Sequence, residues 1–303
     1  ERTSKQAVRS LTADFAAMMR AVHTLQDDAP KLLHDEFALG FCGLASNEAL
    51  DQALGNIRKG LLSPYSDSAA AGLLRAIRSG IVVRSRIAED RLMQAVARGV
   101  TQYVVLGAGL DSSAYRLGLQ KRGVHVFEVD LPAMQEWKRS LVRSQAPELE
   151  SQVTFVPVNF EREALFEKLA LHGFDIRKPT FFTWLGVVWY LTDDAVFSTL
   201  RAIAASVSDS EIVFEYPVAA PFVYAEDRPI LDVVRQAGAQ RGETLRPGFD
   251  PTPFADQIKD MGFEVIADLS PEEMQTRYLQ SRDDGLRMPG IGHLMNVRRT
   301  ERS

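Results

Sequence analysis

The chain has 303 residues, with 35 lysines and arginines against 40 aspartates and glutamates, and its formal net charge is −5. Hydrophobic residues at 46% and charged residues at 25% are typical of globular domains, which excludes disordered, collagen-like and coiled-coil classes. Acidity without a basic run argues against nucleic-acid binding through phosphate neutralisation, and no apolar segment reaches the roughly 18 residues of a membrane span. Since residues 1–5 also lack the apolar stretch of a signal peptide, we expect a soluble, cytoplasmic protein without membrane partners.

The cysteine and histidine content argues against a metal site. Cys42 is the single cysteine, so the chain has neither an intramolecular disulfide nor a multi-cysteine zinc site. The five histidines are scattered and form no HExxH motif. We therefore expect no bound metal.

Residues 1–98 are predicted to form a helical N-terminal cap without a clear strand. Val8, Phe15, Met18 and Val22 recur with Leu11 at helical spacing, which is typical of a stripe packed against a core. Further helices are predicted over residues 44–57, 69–77 and 81–98. The last two are separated at Gly80, because glycine disfavours a helix interior.

Residues 99–303 are predicted to form a second unit, in which strands alternate with helices. Buried strands are expected at 103–106, 124–129, 153–158, 180–185 and 211–216, and this alternation predicts a parallel sheet covered by helices on both faces. A helix starting at Thr252-Pro253 and a capping box at Ser270–Glu273 flank a strand at 264–267, and a last strand follows at 293–297. These additions predict an antiparallel extension at one sheet edge.

Residues 217–251 are predicted to be a partly helical, lid-like insertion. The segment contains glycine and proline but has no persistent hydrophobic period. Insertions above the carboxyl ends of parallel strands commonly shape substrate pockets.

A glycine loop follows the first strand and precedes a helix. Gly107-Ala108-Gly109 permits close backbone approach to a ligand, although many such loops are ordinary tight turns. Asp130 ends the second strand about 20 residues further on, where an acid can accept hydrogen bonds from both ribose hydroxyls. Ser112 replaces the third glycine of the dinucleotide fingerprint. The pattern therefore predicts an adenosine-type ligand without a pyrophosphate, and S-adenosylmethionine is favoured over NAD.

Several alternatives stay open around this loop. Asp130 could instead be the N-cap of a helix before Pro132, and Glu128, two residues earlier on the same strand face, is a competing ribose acid. After the third strand, Asn159 offers an amide for an adenine edge and Phe160 a ring for its plane. The alternative for that pair is a polar strand end beside a core phenylalanine.

The ordered motifs resemble the leucine carboxyl methyltransferase family, in the branch of bacterial class I S-adenosylmethionine-dependent methyltransferases that act on small molecules. The clearest are VLGAGLD at 105–111, FEVDLP at 127–132 and WLGVVWYL at 184–191. Other matching segments occur in order along nearly the whole chain, at residues 12–13, 20–21, 33–38, 83–86, 112–117, 156–160 and 262–263.

The resemblance implies a fold and a set of cofactor contacts. It implies a helical cap over a Rossmann-like sheet that is mostly parallel with an antiparallel last strand. It also implies that one arginine of the Arg84/Arg86 pair binds the methionyl carboxylate; the motif favours Arg84, and a shift in its alignment would select Arg86. A guanidinium suits a carboxylate because it donates two parallel hydrogen bonds. The resemblance places Leu131 and Leu185 beside the cofactor with the glycine loop, Asp130, Asn159 and Phe160.

Two positions depart from the family pattern. Many members have an acidic residue where this chain has Leu185, and many have aspartate where it has Asn159. The protein-phosphatase methyltransferases of the family act on a protein carboxyl terminus, and nothing in this sequence specifies a protein substrate.

The predicted reaction is O-methylation of a small molecule. A carboxylate is ionised at neutral pH and needs no general base, whereas a phenol or alcohol usually needs one. Tyr190, Glu215 and His293 are the nearest candidates for a catalytic base by topology, with Tyr190 taken first, and none is compelling. A carboxylate acceptor is therefore preferred over a phenol or hydroxyl group. Leu185 motivates a further alternative, a non-catalytic S-adenosylmethionine-binding protein, while Ser112 disfavours an NAD-dependent oxidoreductase.

Overall fold

The computed structural model describes residues 11–207, 209–239 and 244–299. Four helices come first, and strands and helices then alternate to the end of the described chain. Val8, part of the predicted apolar stripe, lies outside these ranges. In chain order the elements are α1 (Leu11–Gln26), α2 (Ala38–Phe41), α3 (Asn47–Lys59), α4 (Asp67–Ala97), β1 (Gln102–Leu106), α5 (Ser113–Arg116), β2 (His125–Asp130), α6 (Pro132–Gln145), β3 (Val153–Pro157), α7 (Leu165–Leu171), β4 (Thr180–Trp184), α8 (Asp193–Ser206), β5 (Ser210–Pro217), α9 (Arg228–Ala239), α10 (Pro251–Asp260), β6 (Phe263–Leu269), α11 (Pro271–Tyr278) and β7 (Gly292–Arg299).

The seven strands form one sheet in the order β3-β2-β1-β4-β5-β7-β6. Strands β1 to β5 pair in parallel, and β7 pairs antiparallel with both β5 and β6. Every residue of β1 and β4 is buried, as expected for central strands with helices on both faces. The predicted fold class is confirmed, with β7 inserted beside β5 so that β6 forms the edge. Because β1 lies between β2 and β4, the strand order reverses there and opens a crevice at the carboxyl ends.

The helix before the sheet is one continuous element, not the two that the sequence predicted. Helix α4 runs for 31 residues through Gly80 and begins at the N-cap Ser66, whose hydroxyl accepts from Ala69 N at 3.4 Å. A Cβ at position 80 would lie 3.2 Å from Pro289 Cγ. Gly80 therefore allows Pro289 to pack closely against α4. Of the helices in the described ranges, none combines the length and apolar character that crossing a bilayer requires.

A buried charged network joins the helical cap to the loop after β1. Arg20 donates from Nε to Asp35 Oδ2 at 2.7 Å and from Nη2 to Leu110 O at 2.6 Å. Ser112 Oγ donates to the same carboxylate at 2.6 Å. Burial opposes ionisation of Asp35, but Arg20 and Arg116 hold its pKa below the usual range. The serine that replaces the third glycine of the fingerprint thus ties the glycine loop to the cap.

The helix starts near the carboxyl end follow capping rules, with one correction. Helix α10 begins two residues earlier than predicted: Asp250 is the N-cap, accepting from Thr252 N at 3.1 Å, and Pro251 takes the first helical position. The predicted capping box is present, since Ser270 Oγ accepts from Glu273 N at 3.3 Å and Glu273 Oε2 accepts from Ser270 N at 3.0 Å.

The predicted insertion is partly helical, with two short 3-10 helices before α9. Helix α9 packs on α1 and α4 of the cap. Buried Asp227 precedes α9 and accepts from Gly290 N at 2.7 Å and from Arg287 Nη2 at 2.5 Å. These bonds hold the start of α9 to the segment leading into β7, which places α9 over the carboxyl ends of the strands.

Candidate active site

A cavity of about 1090 Å³ lies at the carboxyl ends of the parallel strands. Its floor is formed by the strand tips and the loops that follow them, and its roof by residues of α1, α3, α4 and α9. Ligand pockets commonly span about 300–1,000 Å³. The cavity therefore has room for two small molecules side by side.

The predicted glycine loop forms part of the floor. Gly107 has a φ of +65°, and a Cβ there would lie 2.2 Å from Val187 Cγ2. Gly109 also has positive φ, and Ala108 N donates to Val129 O at 3.0 Å. Positive φ and the close contact together require glycine at position 107. The turn brings backbone directly to the cavity wall, as predicted for a loop that approaches a ligand.

Asp130 projects from the tip of β2 into the same cavity. Its Oδ2 accepts from Gly109 N at 2.6 Å and its Oδ1 from Leu131 N at 2.7 Å. The N-cap of α6 is Leu131, which also lines the cavity and makes no side-chain capping bond. The N-cap alternative for Asp130 is therefore not observed. The carboxylate instead holds the glycine loop in place and faces the cavity.

Glu128, the competing ribose acid, does not line the cavity. It is fully buried and forms an ion pair with Lys138 Nζ of α6 at 2.7 Å. Burial raises the pKa of Glu128 to about 7. The side chain packs under α6, away from the strand tips, and this alternative was wrong.

Asn159 and Phe160 line the cavity after β3, as predicted. Asn159 Oδ1 accepts from Glu161 N at 3.0 Å, so the donor left for a ligand is the amide nitrogen. The Phe160 ring lies 5.9 Å from the ring of Trp184, a core residue of β4. Phe160 therefore both packs on the core and faces the cavity, and the two roles proposed for it are compatible.

Of the two candidate arginines on α4, the structure brings Arg84 into the cavity and leaves Arg86 outside. Residues two positions apart on a helix point about 200° apart, so both cannot face one cavity. Arg86 Nε instead donates to Asp90 Oδ1 at 2.9 Å. The selection of Arg86 as a cofactor residue is therefore corrected to Arg84 alone.

Arg84 forms an ion pair with Glu215 at the tip of β5. Glu215 Oε1 also accepts from Gly186 N at 2.6 Å. In the β4–β5 register Trp184 faces Phe214, so Leu185 is level with Glu215. The adjacent strand thus supplies an acid beside the position where family members carry one. Glu215 was predicted only as a possible base, because its position level with Leu185 depends on the register of β4 and β5, which no local sequence pattern specifies.

The remainder of the cavity has an apolar roof that the sequence analysis did not identify. Its residues come from α1, the α3–α4 region and α9, which are far apart in the chain. They are Phe15, Met18, Ile57, Leu61, Ile77, Ile81, Ile230, Val233 and Val234, with Met288 from the segment before β7. Most of them lie on the apolar faces of helices, so no local signal distinguishes them from core residues.

Two of the candidate bases lie along this part of the cavity. Tyr190 is half-buried at the end of a 3-10 helix and lines the wall. His293 lines it from the start of β7, with Nδ1 3.2 Å from Asp268 Oδ1. Tyr216 Oη donates to the same carboxylate, at 3.0 Å from Asp268 Oδ1 and 2.8 Å from Oδ2. Burial and the neighbouring Asp268 raise the pKa of Tyr216, which keeps this hydroxyl a neutral donor. Across the described ranges, no group of three or more histidine, cysteine or acidic side chains could hold a metal.

Comparison with known proteins places this geometry in a family. A family model described as leucine carboxyl methyltransferase matches residues 13–204. A Bacillus subtilis protein is 28% identical over 206 residues, covering 68% of this chain and 67% of that protein. A Frankia alni protein is 34% identical over 195 residues (64% and 63%), and a Streptomyces coelicolor protein is 35% identical over 192 residues (63% and 63%). All three are provisionally named S-adenosyl-L-methionine-dependent methyltransferases.

The aligned region thus spans about two thirds of these relatives. Among solved structures, a provisionally named methyltransferase of Thermobifida fusca superposes with a TM-score of 0.59 at 15% identity, covering 98% of this chain and 97% of that one. A protein of Streptomyces avermitilis from a family of uncharacterised domains gives 0.55 at 14% identity, covering 94% and 97%. The family and fold predicted from the sequence are confirmed, and the predicted cofactor is the one on which the named relatives depend.

Proposed function

The chain belongs to the leucine carboxyl methyltransferase family, and on that premise we propose that it is an S-adenosylmethionine-dependent O-methyltransferase of a small-molecule acceptor. The observation that carries the proposal is the cavity itself. It combines the glycine loop, Asp130 and the Arg84–Glu215 pair on a polar floor with an apolar roof large enough for a second molecule. S-adenosylmethionine is the cofactor, in agreement with the named relatives.

The strand order supports a placement for the cofactor. Across β3, β2, β1, β4 and β5 the cavity presents Asn159, Asp130, the glycine loop and the Arg84–Glu215 pair in that spatial order. An amide suits an adenine edge, and an acid suits the two ribose hydroxyls. The charged pair complements the methionyl group, because Arg84 can bind its carboxylate and Glu215 its ammonium. We propose these residues, with Gly107, Ala108 and Gly109 as the close backbone surface, as the cofactor contacts.

Bound S-adenosylmethionine would supply a methyl carbon on a positively charged sulfur, which is the leaving group when an acceptor oxygen attacks that carbon in line. The protein therefore has to align that oxygen and exclude water. The apolar roof excludes water and suits an acceptor with an apolar body. Because the roof and the charged pair line one cavity, we propose that the acceptor binds beside the methionyl end of the cofactor.

Two acceptor groups are candidates. A carboxylate needs no base, and the sequence analysis preferred it because no base stood out. A phenol or hydroxyl group is favoured by His293, which lines the cavity beside Asp268. A non-catalytic role, which rested on Leu185, is less favoured because Glu215 lies level with that residue.

The test is transfer from methyl-labelled S-adenosylmethionine to paired para-alkylphenols and para-alkylbenzoic acids, after calorimetric measurement of cofactor binding. Alkali releases labelled methanol from an ester and leaves an ether intact, so the product identifies the acceptor group. Absence of cofactor binding would refute the site. Cofactor binding without label transfer to either series would support the non-catalytic alternative.

A further inference from the structure

The wall of the cavity carries an imidazole that is hydrogen-bonded to a neighbouring carboxylate. His293 lies at the start of β7, and its Nδ1 is 3.2 Å from Asp268 Oδ1 on β6. In the neutral ring, a hydrogen bond donated from Nδ1 to the Asp268 carboxylate leaves the lone pair on Nε2. Tyr216 donates to both oxygens of Asp268, which restrains the carboxylate and through it the ring. The result is a histidine whose proton-accepting nitrogen is defined by its neighbours.

Strand order sets the position of this histidine relative to the cofactor. The Arg84–Glu215 pair lies at the β4–β5 tips, and β7 is the next strand beyond β5. In the β5–β7 register Tyr216 faces His293 and Glu215 faces Leu294. Successive side chains of a strand point to opposite faces of the sheet, so the His293 side chain shares a face with Tyr216 and Glu215 lies on the other face. Glu215 and His293 both line the same cavity at the carboxyl ends of the strands, and an acceptor bound over this edge of the sheet can contact His293.

The other polar groups of this region are less suited to take a proton. Glu215 is already occupied by Arg84 and by Gly186 N. Tyr190 presents a phenol, and phenols ordinarily keep their proton at neutral pH. An imidazole paired with a carboxylate is the common general base of enzymes that ionise a hydroxyl group.

From this geometry we infer that His293 is the general base of the reaction and that the acceptor is therefore a hydroxyl group, most simply a phenol on an apolar body. This inference rests on the proposed function. As the acceptor oxygen bonds to the methyl carbon, the carbon–sulfur bond breaks and its electron pair returns to sulfur. The hydroxyl proton passes to His293 Nε2. The products are a methyl ether, S-adenosylhomocysteine and a protonated imidazole that Asp268 stabilises; the proton is then lost to solvent.

The first test needs neither cofactor nor acceptor. Nitrogen-15 NMR distinguishes the two neutral histidine tautomers, and a His293→Gln variant assigns the resonance. We expect the tautomer protonated at Nδ1. If the neutral ring instead carries its proton at Nε2, that nitrogen has no lone pair to accept the acceptor's proton and the inference is overturned.

The second test measures proton transfer without turnover. para-Nitrophenol is added to the protein saturated with S-adenosylhomocysteine, about one pH unit below the pKa of the free phenol. We expect bound nitrophenol to absorb as the yellow anion in the wild type and in a His34→Gln control. That control removes an imidazole from the exposed loop before α2. In His293→Gln we expect no anion signal. No binding, binding in the neutral form, or an anion that persists in His293→Gln would each overturn the inference.

The third test is turnover. With a para-alkylphenol as acceptor, His293→Gln is expected to lose roughly 100- to 10,000-fold in kcat, the usual effect of a general base, with unchanged cofactor affinity. Asp268→Asn should lower kcat less and alter its pH profile, because it positions the ring without touching the acceptor. Methylation of benzoic acids alone, or full activity in His293→Gln, contradicts the inference and leaves the proposed function standing. If the wild-type protein does not bind S-adenosylmethionine, the proposed function itself is contradicted.

Discussion

The two ends of the cavity are built in different ways. The proposed cofactor end comprises the tips of β1 to β3, where each polar group ends or follows a strand: the glycine loop after β1, Asp130 at the end of β2 and Asn159 after β3. The proposed acceptor end is assembled from α1, α4 and α9 and from β7, which are distant from one another along the chain.

This difference indicates how substitutions at each end should affect ligand binding. Backbone geometry defines the cofactor end, so even small substitutions there should lower cofactor affinity. Side-chain volume defines the acceptor end, so substitutions there should alter acceptor size without affecting the cofactor. Four predictions test that separation.

The largest effect is expected at the glycine loop. Gly107→Ala would force a side chain at a φ of +65° against Val187. Left-handed backbone costs about 1–2 kcal/mol and overpacking about 1–3 kcal/mol of unfolding free energy. A loop displaced to relieve this strain would no longer fit the cofactor, so we expect its affinity to fall about 100-fold. Isothermal titration calorimetry with S-adenosylmethionine measures it.

Gly118→Ala is the matched control for that variant. Gly118 has a φ of +58° and nothing within 4 Å of an added Cβ. The Gly118→Ala variant should lose about 1–2 kcal/mol of unfolding free energy while keeping its cofactor affinity. Equal affinity losses in the two variants would show that backbone strain alone, and no contact at the cavity, explains the effect.

The next effect is expected at Asp130. Asp130→Asn removes the charge that accepts from Gly109 N and is proposed to bind the ribose hydroxyls. Hydrogen bonds to charged groups contribute about 1.5–3 kcal/mol, so affinity should fall roughly 10- to 100-fold. Glu128→Gln should lower the melting temperature, since it leaves Lys138 unpaired in the core, without weakening cofactor binding. Weakened binding in Glu128→Gln and not in Asp130→Asn would reverse the assignment.

A smaller loss of cofactor affinity is expected from substitutions in α4. Arg84→Met should weaken S-adenosylmethionine about tenfold, because it removes the proposed carboxylate partner yet frees Glu215 for the ammonium group. Arg86→Met changes the same charge two residues away, on the opposite helix face, and should leave affinity unchanged. Calorimetry on both variants decides between the two arginines, and equal losses would mean that the effect is long-range electrostatics.

The smallest effect is expected at the acceptor end. Val234→Trp would fill part of the apolar roof, reducing affinity for para-butylphenol several-fold, since lost apolar contact costs about 25 cal/mol per Å². Cofactor affinity should stay the same. The control is Arg235→Trp, which adds the same ring at a neighbouring exposed position of α9. A drop in cofactor affinity in Val234→Trp would contradict the separation of the two ends.

Local sequence patterns predicted most of the strands and helices and the residues proposed to bind the cofactor. Buried β-branched runs, the glycines after β1 and the acid ending β2 are local signals, because strand tips of a parallel sheet converge on one edge. The mostly parallel sheet with an antiparallel last strand followed from the alternation of elements and from the family resemblance, whereas the order of the strands came from the structure. The separate roles of Asp130 and Glu128, two residues apart on β2, did not follow from local patterning.

Only the tertiary structure decided which side chains share the cavity. It selected Arg84 over Arg86 through the direction of α4, made Gly80 a packing contact within one helix, and brought His293 against Asp268 across two strands. It also formed the apolar roof from helices that are distant in sequence. Such contacts depend on register and helix rotation, and these are fixed by the packing of the whole core, which no local window of sequence contains.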